Sequence, residues 1–274
     1  MVVSIAPYAG IVKQLVDSDT QVKILVPKNR DPHLWEPTQR QIAYLSSGDL
    51  YIEAGTLPFE LWLNERFADI CPDTKLLNLS EQVSLLKFEE HNEQALQRRK
   101  DLADSYVSSE YHNELDPHMW LSPVLLKQQA QRIAEALKAL RPEKAEVYDK
   151  RLADYLSDLD EVHQELTIRL APYKGATVLV FHPAFGYFCQ AYGLKQRAVQ
   201  SEGKSPSPRE LQEIIEAARQ DGTRMIFTQP QFEPHSVDAI ASAIGAVVVT
   251  LDPLEEDVIQ NLRTIAQRVE ESAQ

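Results

Sequence analysis

The sequence Asp-Pro-His-Met-Trp-Leu-Ser-Pro at residues 116–123 places one histidine directly before a long helical pattern. Pro117 fixes its own φ angle and pushes the preceding residue towards an extended backbone, so the imidazole of His118 leaves a stiff chain. Ser122 and Pro123 are typical of a helix N-cap and a first helical position, which predicts a helix start there. Rigid placement before a helix suits a metal ligand, although a partly buried histidine in a tight turn fits the same pattern.

Composition limits the classes of function. The 274 residues are enough for one large domain or two lobes, each with its own core. The formal net charge of -13 and the lack of a basic stripe argue against a nucleic-acid partner and are compatible with a cation ligand. Cys71 and Cys189 form no Cys-x-x-Cys pattern, so they build no zinc framework, and nothing in the sequence supports a disulfide between them.

The sequence also bears on location. No apolar run approaches the length of a membrane-spanning helix, so we do not expect the chain to span a membrane. Residues Met1–Ile5 lead directly into a predicted strand, without the pattern of a signal peptide. Two alternatives stay open: a cytosolic protein, or an exported protein whose targeting segment has been removed.

Short apolar segments alternate with amphipathic helical segments in both halves, which predicts an α/β fold with a parallel sheet in each half. Strands are predicted at 2–5, 21–26, 49–52, 75–78, 176–181, 225–228 and 246–251. Helices are predicted at 9–16, 38–45, 57–67, 124–140, 208–219, 235–244 and 255–271. We assign residues 1–140 to an N-terminal lobe and residues 172–274 to a C-terminal lobe.

The run from Pro142 to about Leu170 has no internal glycine or proline and predicts one long helix. About 28 residues at a rise of 1.5 Å each give roughly 42 Å, which is longer than a small lobe is wide. We therefore assign residues 141–171 to a rigid linker helix between the lobes. The alternative of a coiled coil has little support, because no heptad pattern is sustained.

Residues 86–114 are charged and polar with few apolar anchors, which predicts a mobile surface insertion. Its two histidines, His91 and His112, are expected to be solvated loop residues. Weak capture of metal by these two side chains is the alternative.

Four side chains occupy related positions. His33, His182 and Asp252 each lie just past the carboxyl end of a predicted strand, where open α/β sheets bind ligands. His118 lies at a comparable junction of a loop with a helix. If the lobes face each other across a cleft, these side chains can converge, and three imidazoles with one carboxylate are a full ligand set for zinc. Each also has an ordinary structural interpretation, such as a helix cap, a strand-end histidine or a turn-initiating aspartate.

The ordered motifs resemble the metal-binding solute-binding proteins of bacterial zinc and manganese ABC importers over nearly the whole chain. The motifs are Pro-His-x-x-Glu-Pro (32–37), Asp-Pro-His-x-Trp-Leu (116–121), His-x-Ala-Phe-Gly-Tyr-Phe (182–188), Glu-Gly-Lys-Ser-Pro-Ser-Pro (202–208), Gln-Pro-Gln-Phe (229–232) and Leu-Asp-Pro-Leu (251–254). The resemblance implies two α/β lobes joined by a rigid helix. It also implies that His33, His118 and His182 bind the metal, with Asp252 as a fourth ligand.

The same resemblance implies a monomeric binding protein, not an enzyme, that captures Zn²⁺ in the interlobe cleft and delivers it to an ABC permease. His182 favours zinc, because manganese carriers often have a carboxylate there and manganese prefers oxygen; Mn²⁺ or Fe²⁺ is the alternative cargo. Zinc carriers often have a histidine-rich loop, but the insertion has only His91 and His112, so a metal-gathering role is not expected. The family is exported, which implies a periplasmic protein, with a lipid-anchored surface form as the alternative.

Two other functions remain to be weighed. Three histidines with an open fourth position are also typical of catalytic zinc, with Asp252 as a base, but no His-Glu-x-x-His motif occurs. An adhesin or scaffold with a purely structural metal ranks third.

Overall fold

A computed structural model describes residues 1–87, 115–200, 206–232 and 235–273, and it contains two four-stranded sheets with parallel strands. The first sheet has the order β2-β1-β3-β4, with β1 Val2–Val3, β2 Lys23–Ile24, β3 Leu50–Glu53 and β4 Lys75–Asn78. The second has the order β6-β5-β7-β8, with β5 Thr177–Val180, β6 Lys195–Ala198, β7 Met225–Thr228 and β8 Val247–Thr250. The predicted α/β fold with a parallel sheet in each half is confirmed.

Helices flank both sheets. They are α1 Ala6–Leu15, α2 Gln39–Leu45, α3 Pro58–Asn64, α4 Phe67–Ile70, α5 Pro123–Leu140, α6 Ala145–Leu170, α7 Gly186–Tyr192, α8 Pro208–Gln220, α9 His235–Ile244 and α10 Val258–Ser272. The predicted start of α5 is confirmed, because the Ser122 hydroxyl accepts the backbone N–H of Leu125 at 3.3 Å. The single helix predicted over 57–67 is wrong: Arg66, with φ -125° and ψ 5°, leaves the helical conformation and separates α3 from α4.

The long helix α6 is present as predicted, with 3₁₀ turns at Pro142–Lys144 and Ala171–Tyr173 on either side. Ion pairs join its two ends to different halves of the chain. At its start, Lys144 and Arg151 bind Asp17 of the N-terminal half, at 2.6 Å and 2.7 Å. Near its end, two ion pairs of 2.8 Å reach the C-terminal half: Arg169 with Glu270, and Glu165 with Arg263. These contacts support a stiff connection; the lobe boundaries at 140 and 171 remain predictions.

The two halves also touch directly, beside the linker helix. The indole Nε1 of Trp120 donates a hydrogen bond to the carbonyl oxygen of Pro253 at 2.8 Å, and Trp120 is fully buried. Gly10 in α1 lies against the backbone of Glu256, so closely that a Cβ atom at Gly10 would lie 1.9 Å from the Glu256 carbonyl oxygen. These contacts fix the distance between the carboxyl ends of the two sheets.

Two glutamates are completely buried at the carboxyl end of β3. The Glu60 carboxylate accepts the backbone N–H groups of residues 54–57 at 2.7–3.0 Å, which favours its ionised form. Glu53 accepts the side-chain amide of Asn64 at 2.6 Å through Oε1, whereas its Oε2 has no hydrogen-bond partner. Burial and then the charge of Glu60 raise the pKa of Glu53 to about 9, so we place the proton of the pair on Glu53 at neutral pH.

This proton makes stability depend on pH. The folded-state pKa of Glu53 is raised above its unfolded value, so its contribution to stability decreases as pH rises from about 4.5 towards 9. Glu53→Gln mimics the protonated side chain, and we expect it to raise the free energy of unfolding at pH 8 by about 2 kcal/mol or more. The gain should shrink at pH 5. Urea unfolding at both pH values measures it, with Glu65→Gln on the exposed surface as the matched control; no gain at pH 8 would contradict the assignment.

Candidate metal centre

Three histidines from distant parts of the chain converge in space. His33 follows β2, His118 precedes the 3₁₀ turn Met119–Leu121, and His182 follows β5. The Nε2 atom of His118 lies 3.4 Å from Nε2 of His33 and 3.3 Å from Nε2 of His182. A tetrahedral zinc ion with bonds of about 2.0–2.1 Å holds its nitrogen ligands about 3.3–3.4 Å apart, so this spacing fits one zinc ion.

Three Asp-Pro turns build the wall of the site, and all three fold in the same way. Asp31, Asp116 and Asp252 each accept, through Oδ1 and at 2.9 Å, the backbone N–H of the residue two positions later, namely His33, His118 and Leu254. The aspartate fixes the turn while the proline fixes its own φ angle. Two of these turns present a histidine to the cavity, and the third presents a leucine.

Asp116 also holds the imidazole of His118. The His118 Nδ1 atom lies 2.7 Å from Asp116 Oδ1, and both side chains are buried. This bond assigns the proton to Nδ1 and leaves the Nε2 lone pair directed at the other two histidines, as in carboxylate–histidine–zinc arrangements. The other half of the chain contacts the same aspartate, because the Tyr187 hydroxyl donates to its carbonyl oxygen at 2.9 Å and a Cβ at Gly186 would lie 2.5 Å from its Oδ2.

The Gln-Pro-Gln-Phe segment 229–232 supports the C-terminal side of the site. Gln229 bonds the backbone of His182 on both sides: its Nε2 donates to the carbonyl oxygen at 3.0 Å, and its Oε1 accepts the N–H at 3.4 Å. The Phe232 ring lies against the imidazole of His182, with centroids 5.2 Å apart. No role for this motif was predicted from the sequence. The feature that could have indicated one is a pair of glutamines on either side of a proline, directly after a strand.

Asp252 is placed differently from the three histidines. Its Oδ1 accepts the side-chain amide of Gln231 at 2.9 Å as well as the N–H of Leu254. In the described part of the chain, the group of possible ligand atoms within 4.8 Å of one another comprises His33, His118 and His182. The role of Asp252 as a fourth ligand therefore stays a prediction.

Two further pairs of residues were named from the sequence. His91 and His112, with nearly all of the predicted insertion, lie outside the described residues. Cys71 and Cys189 are both buried, and no disulfide joins them in the structure.

The environment of His33 and His182 favours neutral imidazoles. Burial, and to a smaller extent the charge of His118, lowers the pKa of His33 to about 3. Burial, followed by the charges of His118 and His33, holds the pKa of His182 well below its ordinary value. The lowered pKa values keep His33 and His182 neutral, and their Nε2 atoms converge with that of His118 on a position that suits a cation. The cavity between them measures about 20 Å³, which suits a single ion and not an organic substrate.

Comparison with known proteins assigns the chain to a family. Residues 1–271 match the family described as "ZnuA: Zinc-uptake complex component A periplasmic". A putative metal-binding protein of Chlamydia muridarum is 30% identical over 270 residues, which cover 97% of this chain and 88% of that protein. The high-affinity zinc uptake system protein ZnuA of Bacillus subtilis is 28% identical over 261 residues, which cover 93% of this chain and 78% of that protein.

The fold comparison agrees with the sequence comparison. A crystal structure of ZnuA superposes on this chain with a TM-score of 0.86 and 33% sequence identity, covering 100% of this chain and 98% of that one. The same two parallel sheets and long connecting helix are therefore found in a solved relative. With a family match along nearly its whole length, the chain belongs to the ZnuA family of zinc-uptake components.

Proposed function

We propose that this protein captures Zn²⁺ between its two lobes, with His33, His118 and His182 as ligands, and delivers it to an ABC permease. Its family consists of solute-binding proteins for zinc uptake, so the chain is not an enzyme. The observation that carries the ligand assignment is the separation of 3.3–3.4 Å between Nε2 of His118 and the Nε2 atoms of the two other histidines. That separation equals the edge of a zinc–imidazole tetrahedron.

The donor set supports zinc as the cargo ahead of Mn²⁺ or Fe²⁺. All three converging groups are imidazole nitrogens, which suit zinc, whereas manganese prefers oxygen donors. The Asp116 carboxylate strengthens His118 as a ligand through its Nδ1 proton. Membership of a family of zinc-uptake binding proteins also argues against the hydrolase alternative.

We place the protein in the periplasm as a monomer that meets its permease there. Support comes from relatives named as zinc uptake proteins and from the description of the matched family as periplasmic. A lipid-anchored form is the alternative location, because some relatives are named as lipoproteins. In the part of the chain that the structure describes, no helix has the length and apolar character to cross a membrane.

Release of the metal is proposed to need only a small movement. The linker helix is joined by ion pairs to both halves, and the backbones of Gly10 and Glu256 are in contact across the interface. A wide hinge opening would break these contacts together. A slight tilt of one lobe would already separate His182 from His33 and His118, because the nitrogen spacing of a metal site tolerates only tenths of an ångström.

A metal titration tests the proposal. Metal-free protein is titrated with Zn²⁺ by calorimetry, and again with Mn²⁺ in competition. We expect one Zn²⁺ per chain and weaker binding of Mn²⁺, because the order of divalent affinities and the nitrogen donors both favour zinc. Absence of stoichiometric zinc binding, or zinc-dependent hydrolysis of ester or peptide substrates, would contradict the proposed function.

A further inference from the structure

We propose that Gln231 determines the metal preference of this site by holding the Asp252 carboxylate outside the coordination shell. The inference rests on the zinc site proposed above and concerns its selectivity. Gln231 lines the cavity between the three histidines, whereas Asp252 does not. Its side-chain amide donates to Asp252 Oδ1 at 2.9 Å, so the glutamine touches both the cavity and the carboxylate.

Asp252 is restrained by two donors at once. The Gln231 amide and the backbone N–H of Leu254 both bind Oδ1, each at 2.9 Å. The Leu254 bond belongs to the Asp-Pro turn and recurs in the other two turns, so it sets the direction of the aspartate in every case. The Gln231 bond is the additional restraint, and it is specific to Asp252.

The glutamine is itself firmly placed. Pro230, directly before Gln231, fixes its own φ angle, and Gln229 on the other side of the proline is paired with the backbone of His182. The Phe232 ring packs on the imidazole of His182. One four-residue segment therefore holds a nitrogen ligand of the metal and, two residues further, keeps a competing oxygen ligand away.

The consequence for selectivity follows from donor chemistry. Three nitrogens and an open position make a site that favours zinc, whereas an added carboxylate makes the site harder and more negative, which favours manganese. To coordinate through Oδ1, Asp252 must give up its bond from the neutral Gln231 amide. Gln231 thus competes with the metal for Asp252. When the amide is absent, no hydrogen bond from Gln231 has to be broken before Asp252 coordinates the metal.

The test is Gln231→Leu, which removes the donor and keeps a side chain of similar size. Zn²⁺ and Mn²⁺ affinities are measured by competition in wild type and variant, together with the visible absorption spectrum of the Co²⁺-loaded proteins. We expect the affinity for Mn²⁺ relative to Zn²⁺ to rise about tenfold in the variant, the low end of the effects seen when outer partners of ligands are changed. The Co²⁺ spectrum should change as an oxygen ligand enters.

Asp252→Asn supplies the control, made in both backgrounds. If Gln231 acts through Asp252, then Gln231→Leu changes the Mn²⁺/Zn²⁺ ratio only while Asp252 is present. An unchanged ratio in Gln231→Leu, or the same change in the Asp252→Asn background, would overturn the inference. Thermal melts check folding, and Gln231→Ala repeats the test if the leucine variant does not fold.

The outcomes separate this inference from the proposed function. A wild-type protein that binds one Zn²⁺, combined with an unchanged ratio in Gln231→Leu, removes the role of Gln231 and leaves zinc capture standing. A wild-type protein that binds no Zn²⁺ overturns both. More than tenfold loss of zinc affinity in Asp252→Asn itself would show that Asp252 already coordinates and would overturn the role given to Gln231.

Discussion

His118→Ala is expected to weaken zinc binding by about three-hundred- to several-thousandfold, taking the 10–16 kcal/mol of a structural zinc site as shared among three histidine ligands. His118 is the central ligand, because its Nε2 lies within 3.4 Å of Nε2 in both His33 and His182. Its removal also leaves the buried Asp116 carboxylate without the imidazole proton that it accepts. Calorimetric competition at fixed pH measures the loss.

The fold should persist in this variant, because the turn around residue 118 is held by a backbone N–H that alanine retains. His163→Ala is the matched control. His163 lies on α6, where its Nδ1 is 3.3 Å from the Tyr192 hydroxyl, and it does not belong to the cluster of three histidines. That control is expected to bind zinc like wild type. An affinity of His118→Ala within threefold of wild type would remove His118 from the ligand set.

Gly10→Ala is expected to lower the free energy of unfolding by about 1–3 kcal/mol, the usual range for overpacking, and to weaken zinc binding as well. Glycine to alanine within a helix ordinarily stabilises by about 0.5–1 kcal/mol, so the expected sign is reversed. The reason is that the new Cβ would lie 1.9 Å from the carbonyl oxygen of Glu256 and 3.0 Å from its carbonyl carbon. Since both atoms are backbone, one half of the molecule must move relative to the other.

This displacement would change the distance between His182 and the two N-terminal histidines, and for that reason stability and zinc affinity should fall together. Urea unfolding and zinc titration of the same variant measure both. The double variant Gly10→Ala/Glu256→Ala should remain destabilised, because the clash is with the Glu256 carbonyl group, whereas its side-chain Cγ would lie at an ordinary contact distance of 3.5 Å. A stabilised Gly10→Ala variant would show that the interface adjusts without moving the lobes.

Local sequence determined several elements almost to the residue. Strands β4 and β7 and helix α9 have the predicted bounds, and α5 begins at the predicted Ser-Pro cap. Each depends on neighbours within a few positions: a proline that fixes φ, a hydroxyl that caps a helix, or a short apolar run. The Asp-Pro-His sequence at 116–118 likewise predicted a stiff turn for His118, and the structure contains that turn and an equivalent one at His33.

Other elements needed partners that are distant in the chain. Strand β6, Lys-Gln-Arg-Ala, has no apolar alternation and was not predicted; its extended conformation is fixed by pairing with β5, where Thr177 is opposite Lys195. Helix α7 was missed for a related reason, because its Tyr187 hydroxyl bonds to the backbone of Asp116 and Leu86, which come from the other half of the chain.

By itself the sequence determined the α/β alternation, the long linker helix and the four candidate ligands. Each of these features follows from residue types and spacings within its own short segment of the chain. Only the tertiary structure decided that three imidazoles meet while Asp252 is bound to Gln231. His33 and His118 are 85 positions apart, and His118 and His182 are 64 apart. Distances of tenths of an ångström between such residues depend on how two sheets and a helix pack together, which no local pattern encodes.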